Sequence, residues 1–359
     1  MADAGHTTIR DVAAAAGVSP TTVSHALNGK GRLDPRTRAR IQRTAERLGY
    51  QANRIARGLR SGRYGVQALW LPYEPDAVSG DALTLTLDYY MRIASAMAKA
   101  FFARGEVVML LPPVTSSEAR IPALADGAVV VDPYDDDRRI EVLRRLDVPI
   151  VTIERNPIDP EDPWCVASNV GSEVESVLEH LESEGAERIA LLVPDAMGSW
   201  SKEERESYRT WSRLHGRDPM TRSVSMRDPF ESAHRSVRTL LRARSAPDAL
   251  VIGAERFVPG VMRAVVDAGL RVPGDVLVAV AVDGNLARAS SPPLTAVDLQ
   301  PERQAHAAAE LLWSRLDGEE PQGQRTVPGI LRVRASTRRS GSAAQRRAAS
   351  AIDGCVAAL

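Results

Sequence analysis

Apolar residues recur at helical spacing twice within the first 27 positions. Ile9, Val12, Ala13 and Ala16 make one face, Val23, Ala26 and Leu27 make another, and Gly17-Val18-Ser19 interrupts them. The spacing predicts helices Ile9–Ala16 and Pro20–Leu27, joined by a tight break that sets them at a steep angle so that their apolar faces close a small core. Ser19 sits where an N-cap belongs, and Pro20 follows at the first helical position, where its missing N–H costs nothing. A second basic helical stretch comes after a short loop. Beyond residue 63 the rhythm changes to short apolar runs alternating with amphipathic segments. Strands are expected at 66–71, 107–111, 127–131, 149–153, 188–193, 249–253 and 276–282. Helices are expected near 89–104, 138–146, 170–184, 202–214, 230–242 and 259–268. Such alternation predicts parallel, doubly wound sheets. About 270 residues exceed one comfortable core, so two similar lobes are expected rather than one large sheet.

The outward residues of the second helix, Thr21, Thr22, Ser24, His25 and Asn28, are short polar groups that can approach base edges and phosphates without bulk. The formal charge of the whole 359-residue chain is zero, which by itself argues against a nucleic-acid partner. Its distribution reverses that inference. Residues 1–63 hold twelve Lys or Arg against four Asp or Glu, a net of +8, and the remainder holds 34 against 42, a net of −8. A basic head on an acidic body is the asymmetry of a DNA-binding module joined to something that should avoid DNA.

The head resembles the N-terminus of the lactose-repressor (LacI-type) family of bacterial transcription regulators. The match rests on Thr8-Ile9 with Asp11-Val12-Ala13, on Gly17-Val18-Ser19 with Thr22-Val23-Ser24, and on Leu27-Asn28-Gly29. Thr37-Arg38, Leu48-Gly49-Tyr50 and the stretch from Asn53 to Arg60 continue it. The resemblance implies that Pro20, Thr21 and His25 lie against base edges in a major groove. It also implies that Ser19, Thr22, Ser24, Asn28 and Thr37 hold phosphates, with Thr8, Tyr50 and Asn53 belonging to the same DNA-binding set. His25 stands where many members carry Arg, which should change the preferred base, and Ala52 replaces a usual Pro, loosening the entry to the hinge. Residues 53–60 are too few for a stable isolated helix, and Gly58 weakens it further, so this hinge should order only when paired with a dimer mate on DNA. Leu59 matches the position of a minor-groove wedge, and Ala56 is small enough to let the helix approach the groove floor.

Further on, Asp248-Ala249-Leu250, residues 263–273 and Asp283-Gly284 before Ser291-Pro292-Pro293-Leu294-Thr295 resemble the family's two-lobed, periplasmic-binding-protein-like body. The implied organisation is a helix-turn-helix head at 1–50, a hinge at 51–63 and an effector-binding and dimerisation body at 64–335. Lobe one is expected at about 64–163 with 295–322, and lobe two at about 164–294 with 323–335. A tail rich in Arg, Ala and Ser, without leucine heptads, is expected to be disordered over 336–359. The implied partners are a double-stranded DNA operator, a homodimer mate and a small-molecule effector.

The effector pocket departs from the family pattern. Tyr89 and Tyr90 close the stretch from Thr86 that replaces the usual entry, Ser168-Asn169 stands for an Asp-Asn pair, and Glu204, with Arg205 beside it, takes the place of a sugar-gripping arginine. Ala254-Glu255 replaces an Asn-Asp pair, and Asp283 alone is where a hydroxyl acceptor belongs. Tyr89, Tyr90, Ser168, Asn169, Glu204, Arg205, Glu255 and Asp283 are therefore the candidate effector residues. With so many hydroxyl-binding groups gone, the expected effector is less polar or differently charged than a hexose, or absent. Tyr89, Tyr90, Trp164 and Trp200 offer an aromatic lining.

No apolar run of membrane-spanning length and no secretory leader is found, and Cys165 and Cys355 are too few for a disulfide framework or a zinc site, so a cytoplasmic location is expected. Signatures of dinucleotide binding, of the P-loop, of metalloproteases and of serine hydrolases are missing; Gly29-Lys30-Gly31 reads as the loop after the second helix. Neither catalysis nor a cofactor is expected. The rival readings are a constitutive DNA binder with a decayed pocket, or a solute-binding protein or sugar-modifying enzyme built on the same body.

Overall fold

The computed structural model describes residues 7–27, 33–50, 63–72, 88–111, 124–195 and 198–339. Contacts divide the chain into a unit ending at Gly65 and another beginning at Val66.

In the first unit, α1 (Ile9–Ala16) begins at Thr8, whose backbone N–H and hydroxyl both donate to the Asp11 carboxylate at 2.7 Å. These two donors hold the exposed Asp11 carboxyl below its usual range. Gly17 closes the helix at φ +64, a left-handed value that a side chain would strain. α2 (Pro20–Leu27) starts where Ser19 Oγ accepts the Thr22 N–H at 3.1 Å. α3 (Pro35–Arg47) is the basic stretch; it starts on Pro35, with Asp34 accepting the Thr37 N–H at 3.0 Å. Val12, Val23 and Ile41 are fully buried where the three helices meet, among Ala13, Ala16, Ala26 and Ala45.

The second unit holds two six-stranded sheets. The first has the order β11 (Arg325–Thr326), β5 (Cys165–Ala167), β4 (Ile150–Ile153), β3 (Gly127–Val131), β1 (Val66–Trp70), β2 (Val107–Leu110), all parallel. The other runs β12 (Ile330–Arg332), β10 (Thr295–Asp298), β9 (Leu277–Val280), β8 (Ala249–Ile252), β6 (Ile189–Pro194), β7 (Met220–Val224), parallel except for the β10–β12 pair. β3, β4, β6, β8 and β9 are buried along their whole length, as strands covered by helices on both faces must be. Lobe one carries α4 (Asp88–Ala103), α5 (Arg138–Arg145) and α11 (Pro301–Leu316). Lobe two carries α6 (Val170–Ser183), α7 (Ser199–Leu214), α8 (Pro229–Leu241), a single turn at Glu255–Phe257, α9 (Val258–Asp267) and α10 (Asn285–Ala289).

Sheet membership moves the expected lobe boundaries. β5 and β11 belong to the first sheet and β10 to the second, so the chain crosses after Ala167, after Asp298 and again between Thr326 and Ile330. The expected tail also begins too early. Ser336 and Thr337 are fully buried: the Ser336 hydroxyl donates to Val278 O at 2.6 Å and accepts the Thr295 N–H at 2.8 Å, and Thr337 Oγ1 lies 2.6 Å from Thr295 Oγ1. Two small hydroxyl residues read as solvent-loving in sequence, yet here Ser336 satisfies backbone groups of β9 and β10 and Thr337 pairs with the Thr295 and His180 side chains. Residues 340–359, and with them Cys355, lie outside the described residues, as do hinge residues 51–62.

Candidate nucleic-acid interface and interlobe cleft

On the first unit, α2 presents Pro20, Thr21 and His25 to solvent, with Ser19 exposed at its start. Thr21 and His25 are four residues apart and share a face. Thr22 and Ser24 are half-buried, and the Ser19 and Thr22 hydroxyls lie 2.9 Å apart. Thr8 is exposed at the start of α1, and Thr37 is half-buried in the first turn of α3 with its hydroxyl directed to Asp34 at 3.3 Å. Tyr50 packs its ring against the three-helix core, and its N–H donates to Ala45 O at 2.9 Å. Among the described residues, short hydroxyl side chains and one imidazole thus project from a helix held rigidly by its cap, in a unit rich in arginine. Asn28, Asn53, Ala56 and Leu59 lie outside the described residues.

Within the second unit an open cleft of about 980 Å³ separates the lobes. It is lined where parallel strands end: Asp132 follows β3, Glu154 follows β4, Gly253 follows β8 and Val282 lies just past β9. The carboxyl edge of a doubly wound sheet is where this architecture leaves a crevice for a ligand. Asp132 and Glu154 both adopt left-handed backbone, at φ +45 and +70, conformations that β-strand ends rarely accept without glycine.

Tyr89 and Tyr90 open α4 and line the cleft, their rings edge to face with centroids 5.1 Å apart. The Tyr90 hydroxyl donates to Asp132 Oδ2 at 2.6 Å, and the Tyr89 hydroxyl donates to Gln304 Oε1 at 2.8 Å. Gln304 in turn donates to Glu154 Oε1 at 3.0 Å, and the Ser168 N–H and hydroxyl donate to the same carboxylate. Burial, reinforced by the neighbouring Asp132 charge, pushes the Glu154 carboxyl up to about 8, and burial likewise raises Asp132. From lobe two, Glu255 faces the cleft. Its Oε1 accepts the Leu286 N–H at 2.7 Å, its Oε2 has no partner among the described residues, and burial raises it too. Gly284 makes room for that carboxylate, since a Cβ there would stand 2.1 Å from Oε2.

Of the expected effector residues, then, Tyr89, Tyr90 and Glu255 line the cleft, and the other five do not. Ser168 is fully buried beneath Glu154. Asn169 caps α6, accepting the Ser172 N–H. Glu204 is sealed behind the cleft among Val177, Leu178, Leu191, Tyr208 and Val251, with neither oxygen bonded among the described residues, and burial pushes it up to about 8. Arg205, next on α7, is half-buried away from the cleft. Asp283 is clasped by Arg334 through bonds of 2.8 and 2.7 Å, with Arg288 at 3.4 Å. Trp200 lines the cleft, whereas Trp164 lies under the Arg315 guanidinium elsewhere. Sequence reasoning missed Asp132, Tyr134, Glu154 and Arg256. The one available signal was a carboxylate immediately after each apolar strand, Asp132 after β3 and Glu154 after β4.

Ion pairs between described residues tie the lobes: Arg155 to Glu203 at 3.0 Å, Lys202 to Asp135 at 2.5 Å, Arg288 to Asp88 at 2.8 Å and Arg92 to Asp298 at 3.8 Å. No helix among the described residues is long and apolar enough to cross a membrane, and none of their acidic, histidine or cysteine side chains cluster as a metal site would require.

Residues 8–53 match the profile of bacterial regulatory proteins of the lacI family, and residues 178–337 match that of a periplasmic binding protein-like domain. The chain is 27% identical over 329 residues to the HTH-type transcriptional regulator CelR of Thermobifida fusca, covering 89% of this chain and 95% of that one. To the regulator GalR of Streptococcus thermophilus it is 26% identical over 322 residues, covering 86% and 92%. Its fold resembles a CelR–cellobiose complex with a TM-score of 0.68 at 24% identity, over 92% of this chain and all of that one. It also resembles a lac repressor dimer bound to operator and an anti-inducer, with a TM-score of 0.75 at 20% identity over 93% and 99%.

Proposed function

Because the chain belongs to the lacI family of bacterial regulatory proteins, we propose that this DNA-binding transcriptional regulator works as a cytoplasmic repressor without catalytic activity, seated as a homodimer on a palindromic operator and governed by a small molecule held between its lobes. The observation that carries the reading is the exposed Pro20, Thr21 and His25 face of a Ser19-capped helix in a unit of net charge +8. A bidentate base contact discriminates by about 1–3 kcal/mol, so one head cannot select a genomic site and two must act together. Support for the dimer comes from lobe one, where the edge strand β2 exposes Val107 and Leu110 beside Phe102, 76% exposed at the end of α4. An uncovered apolar sheet edge invites a partner.

Residues 53–60, outside the described residues, link head to body along the chain. Ligand binding at the cleft changes the separation of the two hinges, and it acts on operator affinity only through its differential affinity for the open and closed lobes. Fluorescence anisotropy on DNA upstream of the protein's own gene tests the reading. Thr21→Ala should lose roughly 1–3 kcal/mol of operator preference and keep the salt slope of the parent. Equal affinity of the parent for every duplex, or a monomer at working concentrations, refutes it.

A further inference from the structure

Three carboxylates, Asp132, Glu154 and Glu255, converge on the cleft from both lobes, and among the described lining residues Arg256 is the one cationic side chain. No asparagine or glutamine lines it there. The walls between the acids are the rings of Tyr89, Tyr90, Tyr134 and Trp200. We infer that the cleft takes an organic cation, a ligand carrying an ammonium or guanidinium group, in place of a neutral sugar. The inference rests on the effector reading above and names the chemistry of its ligand.

The argument is one of donors and acceptors. A site for vicinal hydroxyls needs both kinds of group in alternation, because each hydroxyl gives one hydrogen bond and accepts others. Among the charged lining side chains the three carboxylates outnumber Arg256, and Trp200 Nε1 adds a neutral donor with no partner among the described residues. Ser199 has already committed its hydroxyl to Arg155 O at 2.7 Å, and Gln304 lies behind the lining with its amide on Glu154 and Ser168. Glu255 is 5% exposed, faces the cleft and keeps Oε2 without a partner among the described residues. Burying a carboxylate in this state is costly unless a positive group meets it. Burial raises the affinity of all three acids for protons, and Arg139 beside Asp132 and Arg288 beside Glu255 oppose it only in part. A cationic nitrogen has donors for the carboxylates and a charge that aromatic faces attract, so acids and rings together fit one ligand class.

Matched probes isolate the charge: putrescine against 1,4-butanediol, arginine against citrulline, and glucosamine against glucose. In thermal-shift titrations of the full chain, at least one cationic member should raise Tm saturably while its neutral partner does not. Glu255→Gln and Asp132→Asn, each keeping shape and removing a charge, should weaken that cation roughly tenfold or more. If a variant fails to fold, the preference within each matched pair still decides. Silence from all three cations, or an equal response to a neutral partner, overturns the inference. A neutral probe that binds and shifts operator affinity would do so while leaving the effector reading intact. A cation that binds the cleft without changing operator affinity would instead sink the effector reading and leave the ligand class standing.

Discussion

Replacing Glu204 with methionine should stabilise this protein, and the gain should depend on pH. Glu204 is fully buried among mostly apolar side chains, neither of its oxygens is bonded among the described residues, and burial pushes its carboxyl up to about 8 from the usual 4.5. Burial dominates, and the adjacent Arg205 opposes it only in part. Between these two values the unfolded chain has released the proton and the folded one still holds it. The folded state therefore binds more protons, and stability falls as pH rises, by about 1.4 kcal/mol per pH unit. Below pH 4.5 both states are protonated and this loss vanishes; above pH 8 it is complete. At pH 7 it amounts to roughly 3 kcal/mol. Methionine has the same unbranched reach and no ionisable group, so Glu204→Met removes the loss without opening a cavity. Urea unfolding at pH 5, 6, 7 and 8, followed by tryptophan fluorescence, should show parent and variant closest at pH 5 and diverging by about 1.4 kcal/mol per unit thereafter. A constant difference across that range, or a variant less stable at pH 8, would refute the reasoning.

Three further outcomes are expected. Gly260→Ala would drive a Cβ to 2.2 Å from the backbone oxygen of Phe230 where α9 crosses α8, and should cost roughly 1–3 kcal/mol or more in the same unfolding assay. Arg334→Leu removes the bidentate partner of buried Asp283 and should cost roughly 3–5 kcal/mol; adding Asp283→Asn should restore much of that, and failure of the double variant to recover would contradict the pairing. Ser19→Ala should lower the melting stability of the head by about 1 kcal/mol by removing the acceptor for the Thr22 N–H, which amide exchange in α2 would register.

The head was legible because everything that shapes it is local: a cap, a proline, a glycine at the turn and two apolar faces within 27 residues. Central strands were legible as well, since burial on both faces writes them as unbroken apolar runs such as Gly127–Val131. α11 was not expected from the sequence, although Glu302, His306 and Glu310 mark its exposed face, because Gln304, Ala305, Ala308 and Ala309 fill its buried face where large apolar side chains would have made the pattern plain. β5 has three residues and β11 two, shorter than any pattern can register. At the cleft, matching positions to a family located α7 but not the direction of its side chains: Glu204 points into the lobe, while Ser199 and Ser201 one turn earlier face the opening. Asp132 and Glu154 depend on left-handed backbone at strand ends, which only tertiary structure imposes on such residues.

The threefold passage of the chain between lobes bears on how the molecule is made. α11 and β11, which finish the first sheet and cover its face, belong to the last 39 described residues, 301–339, whereas β1 begins at Val66. A nascent chain emerging from the ribosome must keep a half-built sheet waiting, its apolar side uncovered, until α11 and β11 have been synthesised. Shortened versions that stop after β9 would accordingly spoil both lobes at once, and a circular permutant opened between β10 and α11 would let the waiting sheet meet its lid early.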